Sequence, residues 1–233
     1  MAKLDVTDQL ITSIIQQVGP QVAAETGWDL QLPTLKSRVL PKDQGYEELV
    51  QGRLRGMGVA ISENRKFGER ILEYLIENNV LGAYQPHSQE LLVVRENVDD
   101  SNLEGLSLVL GHELVHRGQH IHHPQVFEQI DQTVKALLDA ANQGIVNFEW
   151  ISQKLEEIRP RMTLIESHAT YISQMLRKKY FPNAIVETHF NLPVLLFQFL
   201  GAGKVSQYTD GLPQVSEAIS KGGVDELFRS SSG

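Results

Sequence analysis

The stretch from Asn102 to Pro124 constrains this chain more than any other. Leu103, Leu106, Val109, Leu110 and Leu114 recur at helical spacing but cover more than one face. A helix apolar on several faces is buried. Its second half, "VLGHELVHRGQHIHH", nevertheless holds five of the eight histidines within fifteen residues, with one glutamate among them. Buried polar groups need partners, so this helix must meet complementary groups elsewhere in the fold. Ser101 and Glu104 are spaced as a capping box, which predicts a start at Asn102. Pro124 ends the helix or opens the next one.

The surrounding pattern is mainly helical. Leu10, Ile11, Ile14, Ile15 and Val18 form one face of a helix that Gly19-Pro20 is expected to close. Residues 65–78, 125–142, 147–158, 192–199, 214–220 and 224–228 also read as helices. Pro160 is placed to open a further helix carrying "RMTLIESHATYISQMLRKKY". "VLGAYQPHSQELLVVREN" reads as a β-hairpin turning at "QPHSQ", and "SRVL" looks extended. The expected fold is mainly α with a small β-sheet, an α+β architecture. We expect one domain over residues 1–233, with 1–60 as an N-terminal helical and extended subdomain.

Charge and composition narrow the function classes. The net charge of -8 disfavours a phosphate backbone, so nucleic acid is not expected as a partner. There is no cysteine, so any metal must be held by His, Asp or Glu. The N-terminus lacks a signal-peptide layout, and no apolar run approaches the ~20 residues that span a bilayer. A soluble cytoplasmic protein without a membrane partner is expected; the sequence does not speak to its oligomeric state.

His112-Glu113-Leu114-Val115-His116 matches H-E-x-x-H. Four residues advance a helix by about 400°, which sets His112 and His116 on one face, one turn apart. Both imidazoles can then reach one Zn²⁺ at ~2.0–2.1 Å. Glu113 is offset by about 100°, so it can miss the metal yet reach a water that zinc has acidified, and act as a general base. Arg117 departs from the usual pattern, where the residue after the second histidine is uncharged. It could face solvent or bind an anionic group of a substrate.

A third ligand is required, and two residues compete for the place. His122 lies six residues past His116, as in H-E-x-x-H-x-x-G-x-x-H, but Gln119 stands where that pattern needs glycine. Glu166, in "LIESHATYIS", is a carboxylate among apolar neighbours on a separate helix and is the preferred candidate. Its alternative is an exposed side chain, or one paired with Arg161 or Arg177. His168 would lie near the site, as an oxyanion or orienting group or as a structural histidine. His87, His120, His123 and His189 are expected to be solvated, and Tyr171 to be structural.

With these residues in view the chain resembles the zincins, and more narrowly the zincin-like metallopeptidase type 2 family. "LVLGHELVHRGQ" is similar to that family's active-site helix. "LIESHATYI" and "KVSQYTDGLPQVSEAISKGGVDELF" are similar to its downstream blocks. All three lie in the second half of the chain. The resemblance implies a helical zincin whose active-site helix sits next to a short sheet. It implies Zn²⁺ on His112, His116 and Glu166, with Glu113 as general base and Tyr208 near the cleft. The expected function is zinc-dependent hydrolysis of a peptide or protein substrate, which could add as a strand to the hairpin edge. The competing expectations are a non-proteolytic zinc-binding protein for a partner or small molecule, and a metal-free helical interaction protein.

Overall fold

The computed structural model describes residues 5–59, 80–99, 102–144, 147–184, 211–221 and 223–230. Helix α1 (Asp8–Thr26) leads through a 3-10 turn (Leu32–Thr34) to strand β1 (Lys36–Leu40). Short helical turns follow: α2 (Lys42–Tyr46), a π turn (Glu47–Gln51) and α3 (Gly52–Gly56). Strands β2 (Gly82–Gln85) and β3 (Glu90–Val94) form the expected hairpin. The long helices α4 (Leu103–His122), α5 (Pro124–Asn142) and α6 (Phe148–Tyr180) come next. Helices α7 (Leu212–Ser220) and α8 (Val224–Ser230) complete the described chain. The protein is mainly helical with one small sheet, the expected α+β class. The helices expected over 65–78 and 192–199 lie outside the described residues.

The sheet has three strands in the order β1-β3-β2, with β3 parallel to β1 and antiparallel to β2. Side chains alternate across a strand. Leu91 and Val93 therefore enter a core shared with α1, α4 and α6, while Leu92 and Val94 enter another with Tyr46, Leu49 and Val80. A strand buried on both faces reads as an unbroken apolar run, which is why "ELLVV" shows no polar alternation. A further core joins α5, α6 and the C-terminal helices through Val126, Ile158, Met162, Val215 and Phe228.

Helix α4 lies against both α1 and α6 in the first core. A Cβ on Gly111 would meet Leu176 Cδ1 at 2.9 Å and Val18 Cγ1 at 3.3 Å. The bare backbone at Gly111 thus lets the three helices close up directly beside His112.

Three expectations about helix ends are corrected. α1 does not close at Gly19-Pro20 but continues to Gly27, whose left-handed backbone donates its N–H to the Ala23 carbonyl. α6 is one helix through Pro160 rather than two. A proline in a helix interior removes one hydrogen bond, yet Ile158 and Met162 are both buried in one core and hold the helix together across it. The cap of α4 is Asn102, whose side chain accepts from the Gly105 N–H, so the helix starts one residue later than expected. Glu104 instead accepts from the Asn183 N–H, and Ser101 lies outside the described residues. Among the described residues no helix is long and apolar enough to cross a membrane.

Candidate metal centre

His112, His116 and Gln119 lie along one stripe of α4, at intervals of four and three residues. Glu166 and Ser173 lie two turns apart on the facing stripe of α6. Packing these stripes together brings ligand atoms of His112, His116 and Glu166 within 4.8 Å of one another. His112 Nε2 is 3.2 Å from His116 Nε2. Glu166 Oε2 is 3.5 Å from His112 Nε2, and Glu166 Oε1 is 3.7 Å from His116 Nε2. Tetrahedral bonds of ~2.0–2.1 Å imply about 3.3 Å between ligand atoms, so the three fit one divalent ion with little movement. Glu166 is fully buried on α6; the exposed alternative is excluded.

The hydrogen bonds behind the imidazoles place a proton on each Nδ1. Gln119 Nε2 lies 2.8 Å from the Ile165 carbonyl, which can only accept. That settles the amide orientation and leaves Gln119 Oε1 at 2.8 Å from His116 Nδ1, which must donate. Ser173 Oγ donates to the Ala169 carbonyl and therefore accepts from His112 Nδ1 at 3.2 Å. In neutral imidazoles with that proton on Nδ1, both Nε2 atoms turn lone pairs to the same point as the Glu166 carboxylate. Three converging acceptors suit a cation.

Glu113 is buried beside the group, and its Oε2 accepts the Tyr84 backbone N–H at 2.9 Å. Burial pushes its pKa up to about 7; Glu166 adds to the rise, while His116 and the Tyr84 N–H oppose it. Glu113, His116, Glu166, Tyr84 and Arg53 line one cavity of about 40 Å³, room for two or three waters.

No family model, curated protein or solved structure matches this chain.

The remaining sequence candidates separate. His122 is exposed, stacks on Trp28 and sits 3.2 Å from the Asp29 carbonyl, outside the three-residue group. His168 is fully buried, and its Nδ1 accepts from Gln119 Nε2 at 3.1 Å. Burial drives its pKa down to about 3, with His116 and His123 adding to the drop. It supports the amide that holds His116 and is not among the residues that line the cavity. Tyr208 lies outside the described residues, as does His189.

Arg117 neither faces solvent nor lines the cavity. Its guanidinium is buried and donates to the carbonyls of Leu30 and Gln31 and to Thr34 Oγ1. The expectation of solvated histidines fails at two places. His123 is buried, lies 2.9 Å from Asp225 Oδ1 and stacks on Phe228. His120 is partly buried, with its Nδ1 3.0 Å from the Tyr84 hydroxyl. The hairpin edge also differs from expectation. Val94 N–H bonds the Leu81 carbonyl, so the alternation turns Tyr84 away from β3, towards Glu113. All four residues of β2 are buried, and α4 lines its outer edge instead of leaving it open.

Gln119, Ser173 and the Tyr84 amide are the site members that sequence reasoning missed. Gln119 stood out only as a departure from a glycine pattern. Its position three residues after His116, on the same helix face, was the available signal.

Proposed function

We propose that this protein is a zinc-dependent hydrolase of the zincin type, acting on peptide bonds. The observation that carries this reading is the convergence of His112 Nε2, His116 Nε2 and the Glu166 carboxylate at ligand spacing, with Glu113 in the adjoining cavity. Two imidazoles and one carboxylate suit zinc and leave one position for chemistry. When bound, zinc supplies Lewis acidity that polarises a carbonyl and brings the pKa of water towards ~7.

The chain's own residues do the rest. Ser173 and Gln119 hold the imidazoles in the tautomer that offers Nε2. Glu113, buried in the adjoining cavity, can take up a proton and release it to a leaving amine. The Tyr84 amide fixes the carboxylate that does so.

The test uses the 233-residue chain with one equivalent of zinc and a mixed peptide library. Cleavage by wild type is expected, with a loss of about 10²–10⁴-fold in Glu113→Gln at unchanged zinc content. Equal cleavage by both proteins would end the role of Glu113. A second reading is favoured by the lined edge of β2: zinc ties α4 to α6 and hydrolyses nothing. Stoichiometric zinc without cleavage of any peptide would select it, and absence of zinc binding would sink both.

A further inference from the structure

Arg53 is the cationic side chain that the described residues contribute to the cavity beside Glu113, His116 and Glu166. Its side chain is only 14% exposed. It donates through one Nη to Asp131 Oδ1 at 2.8 Å. A guanidinium carries five N–H donors in a planar fork, and among the described residues this is the bond Arg53 makes. Asp131 is itself shared, since its other oxygen lies 3.1 Å from His87 Nε2. The carboxylate is therefore divided between two groups.

Arg53 is not needed merely to fasten α3 in place. Gln85 Nε2 already bonds the Leu49 carbonyl at 2.9 Å, and Lys135 Nζ bonds the Gly58 carbonyl at 3.2 Å. These contacts tie the segment around α3 to β2 and to α5. Apart from Glu113, His116, Glu166 and Tyr84, the cavity walls are apolar, from residues such as Ala83, Phe127, Ile130 and Met162. The remaining N–H groups of Arg53 can donate to a small anion there with little competition from water, against the opposing charge of any ionised acid that shares the cavity. The planar fork matches a carboxylate in particular.

We propose that Arg53 forms a subsite for a carboxylate group of the substrate, within reach of the residues that would hold zinc. The inference rests on the hydrolase reading and adds the substrate class: peptides bearing a carboxylate close to the scissile bond. That group is either the peptide's free C-terminus or an acidic side chain, and the same guanidinium chemistry recognises both.

Calorimetric titration with three probes tests it: N-acetyl-alanyl-leucine, its C-terminal amide, and the C-terminal amide of N-acetyl-alanyl-glutamate. Each is titrated into the chain in EDTA and into the chain carrying one equivalent of zinc. At least one carboxylate probe should bind about tenfold or more tightly than the neutral amide in both forms. Which one does so identifies the source of the carboxylate. Arg53→Met should abolish the preference, Arg53→Lys should retain part of it, and Asp131→Asn should strengthen it by removing the competing acid. Zinc affinity should be the same in wild type and Arg53→Met. Should Arg53→Met fail to fold, the Lys and Asn variants carry the comparison. Equal binding of the three probes, binding of none, or a preference that survives Arg53→Met overturns the subsite. A carboxylate preference without zinc binding keeps the subsite and removes the hydrolase reading; zinc binding without the preference does the reverse.

Discussion

Gln119 hydrogen-bonds the Nδ1 atoms of two histidines at once. Its oxygen takes the His116 Nδ1 proton, and its two N–H groups serve the Ile165 carbonyl and His168 Nδ1. Gln119→Met is expected to weaken zinc binding by about 10–100-fold, measured by competition with a chromogenic chelator. It should also cost about 1–3 kcal/mol in EDTA, because buried acceptors lose their donors. A Met variant that keeps wild-type zinc affinity would remove Gln119 from the centre. Glu113 and His168 make the metal-free protein respond to pH in opposite senses. Glu113's pKa rises from 4.5 to about 7 on folding, so its share of stability is full below 4.5 and is lost as pH rises through 7. His168's pKa falls from 6.5 to about 3, so its share is full above 6.5 and is lost as pH falls towards 3. Relative to wild type in EDTA, Glu113→Gln should gain stability as pH rises from 4.5 to 7, and His168→Gln should gain as pH falls from 6.5 to 3. Each slope is at most about 1.4 kcal/mol per pH unit. Chemical denaturation across the range reads both, and parallel curves would mean that neither group is buried as described. His112, Glu113 and His116 were legible in the sequence because one helix sets their spacing. Glu166 was legible as a charge in an apolar run. Arg117 was not, because its acceptors lie in a distant loop that local spacing cannot reveal.

Among the elements, the close contact of α4 with α1 and α6 sets the centre's dimensions. Gly111 stands at that contact, next in sequence to His112. Gly111→Val places a branched side chain against Leu176 and Val18 and should cost about 1–3 kcal/mol by overpacking. It should also push His112 away from Glu166 and so lower zinc affinity. Val215→Ala in α7 is a fitting control, since Val215 is fully buried but belongs to the other core. It should lower the melting temperature while leaving the affinity of the folded protein unchanged. If both variants lose stability and neither loses affinity, the helix contact does not set ligand spacing. The existence of most described helices and of the hairpin could be read from period and turn residues. Their ends near proline could not. Pro20 and Pro160 look like boundaries because local sequence shows the missing N–H but not the tertiary burial on both sides that outweighs it.

For the whole molecule, the candidate ligands join helices that loops and a complete intervening helix, α5, separate in sequence. The pairing of α4 with α6 was legible only through the expectation that Glu166 joins His112 and His116, because two amphipathic stripes by themselves do not announce which partner each will meet. Zinc bound across them would act as a cross-link present in the folded state alone. An ion that binds the folded state but not the unfolded chain stabilises by about 2.7 kcal/mol at a hundredfold excess over its Kd. For a chain of this size that corresponds to a rise of about 5–10 °C in melting temperature over the protein in EDTA. His112→Ala should lose the rise, because two ligands hold zinc poorly. Glu113→Gln should retain it, because Glu113 bonds the Tyr84 amide and is not among the three ligands. Scanning calorimetry of the three proteins with and without zinc separates these cases. A wild-type melting temperature indifferent to zinc would show that no ion bridges α4 and α6, however well the three side chains are spaced.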